Sequence, residues 1–173
     1  LQDLAEANDS DAKFRMLVRA LEASIANRKG DKAKSTSAMK GILDESKSDP
    51  KVLLIAARID IDNGNFALAI RKLQDAAKLA PFEIEIRHGL AWLNLSAPTP
   101  SSKIATESAL LAVQMTNGRD WSSVSALAAA HALAKKFELA EDEIKHAIKI
   151  APDTAKEICE WYETQLAETK SIK

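Results

Sequence analysis

The stretch SALAAAHALAKKFELAEDEIKHAIKIAP, residues 125–152, decides the fold class. With the valine just before it, it contains two stripes of residues at the spacing of amphipathic helices. Val124, Leu127, Ala128 and His131 follow the i, i+3, i+4, i+7 rule, and Ala140, Ile144, Ala147 and Ile148 form a second stripe, again at helical spacing. Lys135, Lys136 and Phe137 interrupt the pattern without a Gly or Pro, which predicts a short turn, and Pro152 ends the second helix. The stretch therefore predicts a hairpin of two antiparallel helices, whose alanines allow the backbones to approach closely.

The same pattern occurs upstream in DPKVLLIAARIDIDNGNFALAIRKLQDAAKLAP, residues 49–81. When the closing prolines Pro81 and Pro152 are aligned, Ala69 falls on Ala140. These prolines are 71 residues apart, which corresponds to about two units of 34 to 36 residues. Repetition with this period predicts an α-solenoid, a stack of helical hairpins.

The rest of the chain follows the pattern less regularly. HGLAWLNL and KIATESALLAVQM supply two helices separated by SAPTPSS, whose prolines forbid a continuous helix. An N-terminal unit begins from a capping Ser10 or Asp11. The complete prediction is one all-α domain over residues 1–173, with units at about 11–50, 50–83, 84–117 and 121–152 and a capping helix at about 153–169.

The composition excludes several classes of protein. The 24 Lys and Arg residues nearly balance the 25 Asp and Glu residues, so no global field favours nucleic acid, a membrane surface or an acidic substrate. Cys159 is the single cysteine, which excludes an internal disulfide framework. No apolar run approaches the roughly 20 residues that a membrane span needs. The sequence begins at Leu1 rather than Met, so we expect part of a larger or processed polypeptide, and the compartment (cytoplasmic or periplasmic) stays open.

This pattern resembles the tetratricopeptide repeat (TPR). The resemblance rests on a small Leu/Ala-Ala pair in the first helix, an Asn-Gly-Asn-Phe type of turn, two alanines seven residues apart in the second helix and a closing Pro. Residues 50–81 and 121–152 carry these features clearly, and the segments LAWL and LAAAHA look like a tandem found in large bacterial TPR proteins. Asp60 and His131 depart from the pattern, because the family usually has an aromatic residue at that position.

The resemblance implies a right-handed superhelix whose first helices line a concave groove for a peptide or a partner protein. Projecting the family's groove positions onto this chain gives Arg58, Asp62, His88 and Trp92 as partner-binding residues, with Lys51, Leu54, Ser122, Ser125 and Ala129 as further groove positions. Two of these also have structural interpretations: Arg58 as a solvated charge and Trp92 as packing between repeats. We expect a protein-interaction module and not an enzyme. The alternative is a structural module that self-assembles into a homo-oligomer through one end or its convex face.

Catalytic and metal-binding patterns are absent from the sequence. It contains no Gly-rich phosphate loop, no His-Glu-x-x-His and no paired cysteines, so we expect no cofactor and no metal. His88, His131 and His146 fall in different helices, and His131 on its apolar stripe fits a hydrogen-bonded core residue better than a general base. Cys159 fits a structural thiol. The Glu-Asp-Glu at 141–143 suits the start of a helix, where negative charge is favourable, better than a metal site.

A basic cluster occurs in NRKGDKAKSTSAMK, residues 27–40, and consists of Arg28, Lys29, Lys32, Lys34 and Lys40. One interpretation is a solvated turn between two helices. The other is a patch that contacts phosphates and is sensitive to salt. No aromatic residue is available in this segment to stack on a base, so we expect no nucleic-acid partner.

Overall fold

The computed structural model describes residues 2–45 and 49–171. Across these residues the chain forms nine α-helices and no strand: α1 (Gln2–Arg28), α2 (Lys32–Glu45), α3 (Pro50–Asp62), α4 (Phe66–Leu79), α5 (Ile84–Ser96), α6 (Ser102–Met115), α7 (Trp121–Leu133), α8 (Phe137–Ile150) and α9 (Asp153–Ser171). The helices occupy more than three quarters of the chain, which confirms the predicted all-α fold. Within the described ranges, no helix has the length and apolar character that crossing a membrane would require.

The helices form two compact units, one that ends at Pro81 and one that begins at Phe82. In the first unit, α1 packs against α2 and α3, and α3 packs against α4. In the second unit, α5 packs against α6 and α7, α7 packs against α6 and α8, and α9 packs against α8. Each unit therefore consists of stacked helical hairpins of the predicted kind. That a single domain covers residues 1–173 stays a prediction.

The second helix of every hairpin buries the same positions. The helices α2, α4, α6 and α8 each have 14 residues. Counted from the first residue, positions 4, 8 and 11 are buried in all four: Ser35, Met39 and Ile42; Ala69, Leu73 and Ala76; Ala105, Ala109 and Ala112; and Ala140, Ile144 and Ala147. The predicted alignment of Ala69 with Ala140 is confirmed, because both are position 4 and neither has any exposed surface.

The first helices follow a register of their own. The helices α3, α5 and α7 each have 13 residues, and each buries positions 3 and 7: Val52 and Ala56, Ile86 and Leu90, and Ser123 and Leu127. In α9 the residues at these positions, Ala155 and Cys159, are buried as well. The predicted capping helix is therefore built like the first helix of a further hairpin.

Position 11 of the first helices holds a polar residue that the TPR pattern does not predict. In α3 it is Asp60, only 8% exposed, which forms an ion pair with Lys72 of α4. In α5 it is Asn94, whose Nδ2 donates to the carbonyl of Leu90 at 2.9 Å. In α7 it is His131. These three hairpins thus place different polar groups at one position, which in α3 and α7 is where the TPR pattern has an aromatic residue.

The turns of two hairpins share one backbone conformation. In the α3–α4 turn, the N–H of Gly64 donates to the carbonyl of Ile61 at 2.9 Å, and Gly64 has a φ of 77°. In the α7–α8 turn, the N–H of Lys135 donates to the carbonyl of Ala132 at 2.9 Å, and Lys135 has a φ of 60°. The short turn predicted at Lys135 is confirmed, and it places a lysine in the left-handed region that favours glycine.

Two expectations about helix starts are wrong. Helix α1 begins at Gln2, so Ser10 and Asp11 lie inside it, because residues 2–9 contain no Gly or Pro to delay the helix. Residues 141–143 lie in the second turn of α8, which begins at Phe137, and are too far along to act on the helix start.

Candidate interaction site

Two of the predicted partner-binding residues, Arg58 and Asp62, lie one turn apart on α3 and are both exposed. The Asp62 carboxylate lies 3.8 Å from the guanidinium of Arg28 on α1. The further groove position Leu54 on the same helix is buried, so its assignment to a groove is wrong. Its side chain packs in the interior of the unit.

The other two predicted residues, His88 and Trp92, lie together on α5 and are half-buried. Trp92 Nε1 donates a hydrogen bond to His88 Nε2 at 2.6 Å, and Ser122 Oγ lies 2.9 Å from the same nitrogen. Because an indole N–H can only donate, Nε2 of His88 is the acceptor in the bond from Trp92. The three side chains link α5 to the first turn of α7.

The four predicted residues fall into two pairs. Arg58 and Asp62 belong to the unit that ends at Pro81, whereas His88 and Trp92 belong to the unit that begins at Phe82. Binding of one partner by all four residues therefore stays a prediction.

Trp92 also belongs to an aromatic group that sequence reasoning did not find. Its ring lies 5.8 Å from that of Tyr162 on α9, and the Tyr162 ring lies 5.1 Å from that of Trp161. Burial and the neighbouring thiol of Cys159 raise the pKa of the Tyr162 phenol. Trp92 thus packs between hairpins, as its structural interpretation expects, and its half-buried ring also faces an open cleft.

We call this opening the aromatic cleft. It has a volume of about 650 Å³ and lies entirely within the second unit. It is lined by large apolar residues, by small or polar residues and by a cation: Trp92, Leu95, Leu133, Phe137, Trp161 and Tyr162; Ser96, Ala129, Ala132 and Thr169; and Lys135. Trp161 is 57% exposed and Leu133 is 38% exposed, so the core does not bury these large apolar side chains.

Three lining residues of the aromatic cleft share one position in the register of the first helices. Position 9 is Trp92 in α5, Ala129 in α7 and Trp161 in α9. The small side chain of Ala129 fills less space at this position than a third large ring would. A recess of about 170 Å³ adjoins the cleft through Ala129, Ala132 and Tyr162.

Trp161 could have been found from the sequence. The sequence predicts residues 153–169 as a capping helix, which is outside the repeat alignment. Counting from Asp153 in the register of α5 and α7 places Trp161 at position 9, the same position as Trp92. The projection also failed at Ser125, which is buried with its Oγ 3.7 Å from the sulfur of Cys159.

Other candidate residues have structural roles. Cys159 is fully buried, as a structural thiol requires. Burial and the charge of Lys136 lower the pKa of His131, and its Nδ1 has no hydrogen-bond partner among the described residues, so the expected hydrogen bond is not found there. Glu141 accepts a hydrogen bond from Lys170 Nζ at 2.6 Å, which lowers the pKa of that carboxyl.

The acidic residues 141–143 lie on α8, and the basic residues of the 27–40 segment lie on and beside the α1–α2 turn. Residues 2–45 and 49–171 contain no group of three or more His, Cys, Asp or Glu side chains placed to hold a metal ion. The five basic residues of the 27–40 segment are all exposed around the α1–α2 turn, as a solvated turn requires.

Solved structures of MamA share this fold. A crystal structure of MamA protein has a TM-score of 0.69 and 16% identity, covering 90% of this chain and 92% of that chain. MamA from residue 41 to its end, from Desulfovibrio magneticus RS-1, has a TM-score of 0.69 and 14% identity, covering 91% and 96%. No protein-family model matches the chain, and no curated protein sequence matches it. At this identity the similarity shows the fold alone, an all-α helical repeat of the α-solenoid class.

Proposed function

We propose that the protein is an interaction module that binds a peptide segment of a partner protein in the aromatic cleft. The carrying observation is that Trp92, Trp161 and Tyr162 line one opening of about 650 Å³ together with the small residues Ala129 and Ala132. Binding pockets have volumes of roughly 300–1,000 Å³ and are mostly apolar with a few polar groups, which describes this cleft.

The cleft suits a large apolar side chain as the anchor of the peptide. Tryptophan and tyrosine supply wide contact area with few rotatable bonds, and they are enriched among residues that dominate binding energy. The small side chains of Ala129 and Ala132 leave room for a leucine or aromatic side chain of the peptide to enter the cleft. Burying such a side chain contributes about 1.5–3 kcal/mol.

Lys135 adds a preference for acidic residues beside the anchor. It is exposed and lines the cleft, and an exposed charge affects the rate of association and its salt dependence more than the final affinity. The expected partner segment therefore combines a large apolar residue with a nearby carboxylate.

Selection from a random peptide library displayed on phage tests this proposal. Selection against the wild-type chain should enrich peptides with an aromatic or leucine anchor. Isothermal titration calorimetry should show that these peptides bind the wild type. Trp161→Ala and Ala129→Arg should each raise the dissociation constant at least about tenfold, which is the loss expected for a hot-spot contact. Phe82→Ala is the matched control, because Phe82 is 78% exposed and lies outside the cleft.

Thermal melts of all variants separate binding from folding. Trp161 is more than half exposed, so its truncation should leave the melt nearly unchanged. If the enriched peptides bind the two cleft variants as well as they bind the wild type, the cleft is not the site.

A further inference from the structure

The recess of about 170 Å³ beside the aromatic cleft is lined by residues of α7, α8 and α9. The recess and the cleft have four lining residues in common, which are Ala129, Ala132, Tyr162 and Thr169. A side chain of a peptide that binds in the cleft therefore lies next to the recess. What the recess can hold decides which residue of the peptide it selects.

The repeat register explains why space is left at this place. Positions 9 and 12 of the first helices hold Trp92 and Leu95 in α5 but Ala129 and Ala132 in α7. Helix α7 therefore lacks two large side chains that α5 carries. Helix α9 has 19 residues against 13 in α5 and α7, and its additional residues supply Leu166 to the lining of the recess.

The recess extends into the core of its unit. Three of its lining residues, Ala128, Ile144 and Leu166, are only 4%, 2% and 7% exposed and belong to one hydrophobic cluster. Protein interiors are close-packed and contain few voids larger than a water molecule. Because apolar walls give water few hydrogen-bond partners, such a space is better filled by an apolar group.

The size of the recess corresponds to one phenyl ring. An apolar protein cavity of about 150 Å³ takes up benzene, so the 170 Å³ of the recess is enough for a single ring. The ring of Tyr162 is part of the lining, and a contact between two aromatic rings contributes more than the burial of their area alone. A leucine side chain offers no ring and would leave more of the space without contacts.

The polar side chains that line the recess already have partners. Thr169 Oγ1 donates to the carbonyl of Gln165 at 2.8 Å, and Gln165 Nε2 donates to Glu168 Oε2 at 3.1 Å. Ser125 Oγ lies 3.7 Å from the sulfur of Cys159. Among the described residues, none that lines the recess is charged. The recess therefore suits a ring without a polar substituent.

We propose that the recess holds the phenyl ring of a phenylalanine, which is the anchor residue of the peptide in the aromatic cleft. That the ring belongs to a peptide rests on the proposed function, whereas the affinity of the recess for a phenyl ring does not. The rings of Trp92 and Trp161 then contact the peptide beside its anchor.

Toluene tests the recess directly, because it is the side chain of phenylalanine without a backbone. Titration into the wild-type chain should shift the methyl NMR signals of Ala128, Ile144 and Leu166 and leave that of Leu79, which lies in the other unit, unchanged. Ala128→Leu should raise the dissociation constant of toluene at least about tenfold, because the added carbon atoms occupy the space of the ring. Ala128 lines the recess but not the cleft, so the lining of the cleft stays as it is.

Thermal melts show whether Ala128→Leu finds empty space. Ala140→Leu is the matched control, because Ala140 is buried in the same cluster and lines neither the recess nor the cleft. We expect Ala128→Leu to leave the melting temperature within about 2 °C of the wild type or to raise it. Ala140→Leu should lower it by at least about 3 °C, because only this variant overpacks a filled contact.

A double-mutant cycle connects the recess to the peptide. In a phenylalanine-anchored peptide from the library, replacing the anchor by alanine should raise the dissociation constant at least about tenfold on the wild type. On Ala128→Leu the same replacement should have little effect, because the recess is already filled.

Absence of toluene binding, or binding that Ala128→Leu leaves unchanged, would overturn the proposal. A loss of stability in Ala128→Leu as large as that in Ala140→Leu would do the same. If toluene binds but the anchor replacement costs as much on Ala128→Leu as on the wild type, or if the library yields no phenylalanine anchor, the recess does not hold the anchor. If the peptides instead ignore Trp161→Ala and Ala129→Arg, the proposed function is wrong and the anchor role with it, and the toluene titration alone decides whether the recess binds a ring.

Discussion

Exchanging the residues of two equivalent turns should change stability in opposite directions. Gly64 and Lys135 occupy the same place in the α3–α4 and α7–α8 turns, with φ angles of 77° and 60° and the same hydrogen bond to the third residue before them. We expect Lys135→Gly to stabilise the protein and Gly64→Lys to destabilise it.

The magnitude follows from two opposing contributions. A non-glycine residue in the left-handed conformation costs about 1–2 kcal/mol. A glycine has more freedom in the unfolded chain, which costs about 0.5–1 kcal/mol on folding. The difference is a gain of roughly 0.5–1 kcal/mol for Lys135→Gly and a similar loss for Gly64→Lys. No heavy atom lies within 4 Å of a Cβ built on Gly64, so no clash adds to that loss.

Urea unfolding followed by far-UV circular dichroism measures both changes, and the midpoint should rise for the first variant and fall for the second. Lys136→Gly is the control, because Lys136 has a φ of −93° and glycine there has no strain to relieve. The double exchange should fall near the wild type, since distant sites are additive. If Lys135→Gly fails to stabilise the protein and Gly64→Lys leaves it unchanged, the left-handed conformation of these turns does not carry the cost assigned to it.

Three further predictions concern the core. Ala69→Leu and Ala140→Leu should each destabilise the fold by about 1–3 kcal/mol in urea unfolding, because overpacking strains a close helix contact, and unchanged midpoints would contradict the register. Folding lowers the pKa of His131, so the unfolded chain binds the proton at a higher pH than the folded chain does. The free energy of unfolding should therefore fall as the pH decreases through the unfolded pKa near 6.5. In His131→Asn the urea midpoint should lose this part of its dependence on pH. Lys72→Met should destabilise the protein by about 1–3 kcal/mol by leaving Asp60 unpaired, and adding Asp60→Asn should recover most of that loss; a double variant as unstable as the single one would show that the pair is not the cause.

The second helices were predictable because their packing repeats in the sequence. A position that must be small in every hairpin, such as Ala69, Ala105 and Ala140, gives a periodic signal that needs no knowledge of the neighbours. The TPR-like turn was predictable for the same reason. Residues that contact a partner do not repeat with the period of the hairpins. The sequence could therefore assign Arg58 and Trp92 to groove positions, but it could not show that only Trp92 lines the aromatic cleft.

The start of α1 was not predictable from local signals. Ser10 and Asp11 favour a helix start only when the residues before them are not helical. Here residues 2–9 are already helical, so the Ser10 hydroxyl and the Asp11 carboxylate lie on the surface of α1 and not at its start.

Residues at equivalent positions of the helices differ in whether they serve packing or are free to contact a partner. Position 9 of the first helices changes from Arg58 to Trp92, Ala129 and Trp161, and the latter three line one opening, so packing does not dictate its chemistry. Val18, Leu21 and Ile25 of α1 show the reverse: they are exposed, yet they keep the apolar character of the buried α3 residues 34 positions later, which are Val52, Ile55 and Ile59. Large apolar surface left in water is unfavourable and marks a contact. The first pattern therefore favours a variable ligand in the aromatic cleft, whereas the second shows packing chemistry that is kept on an exposed face.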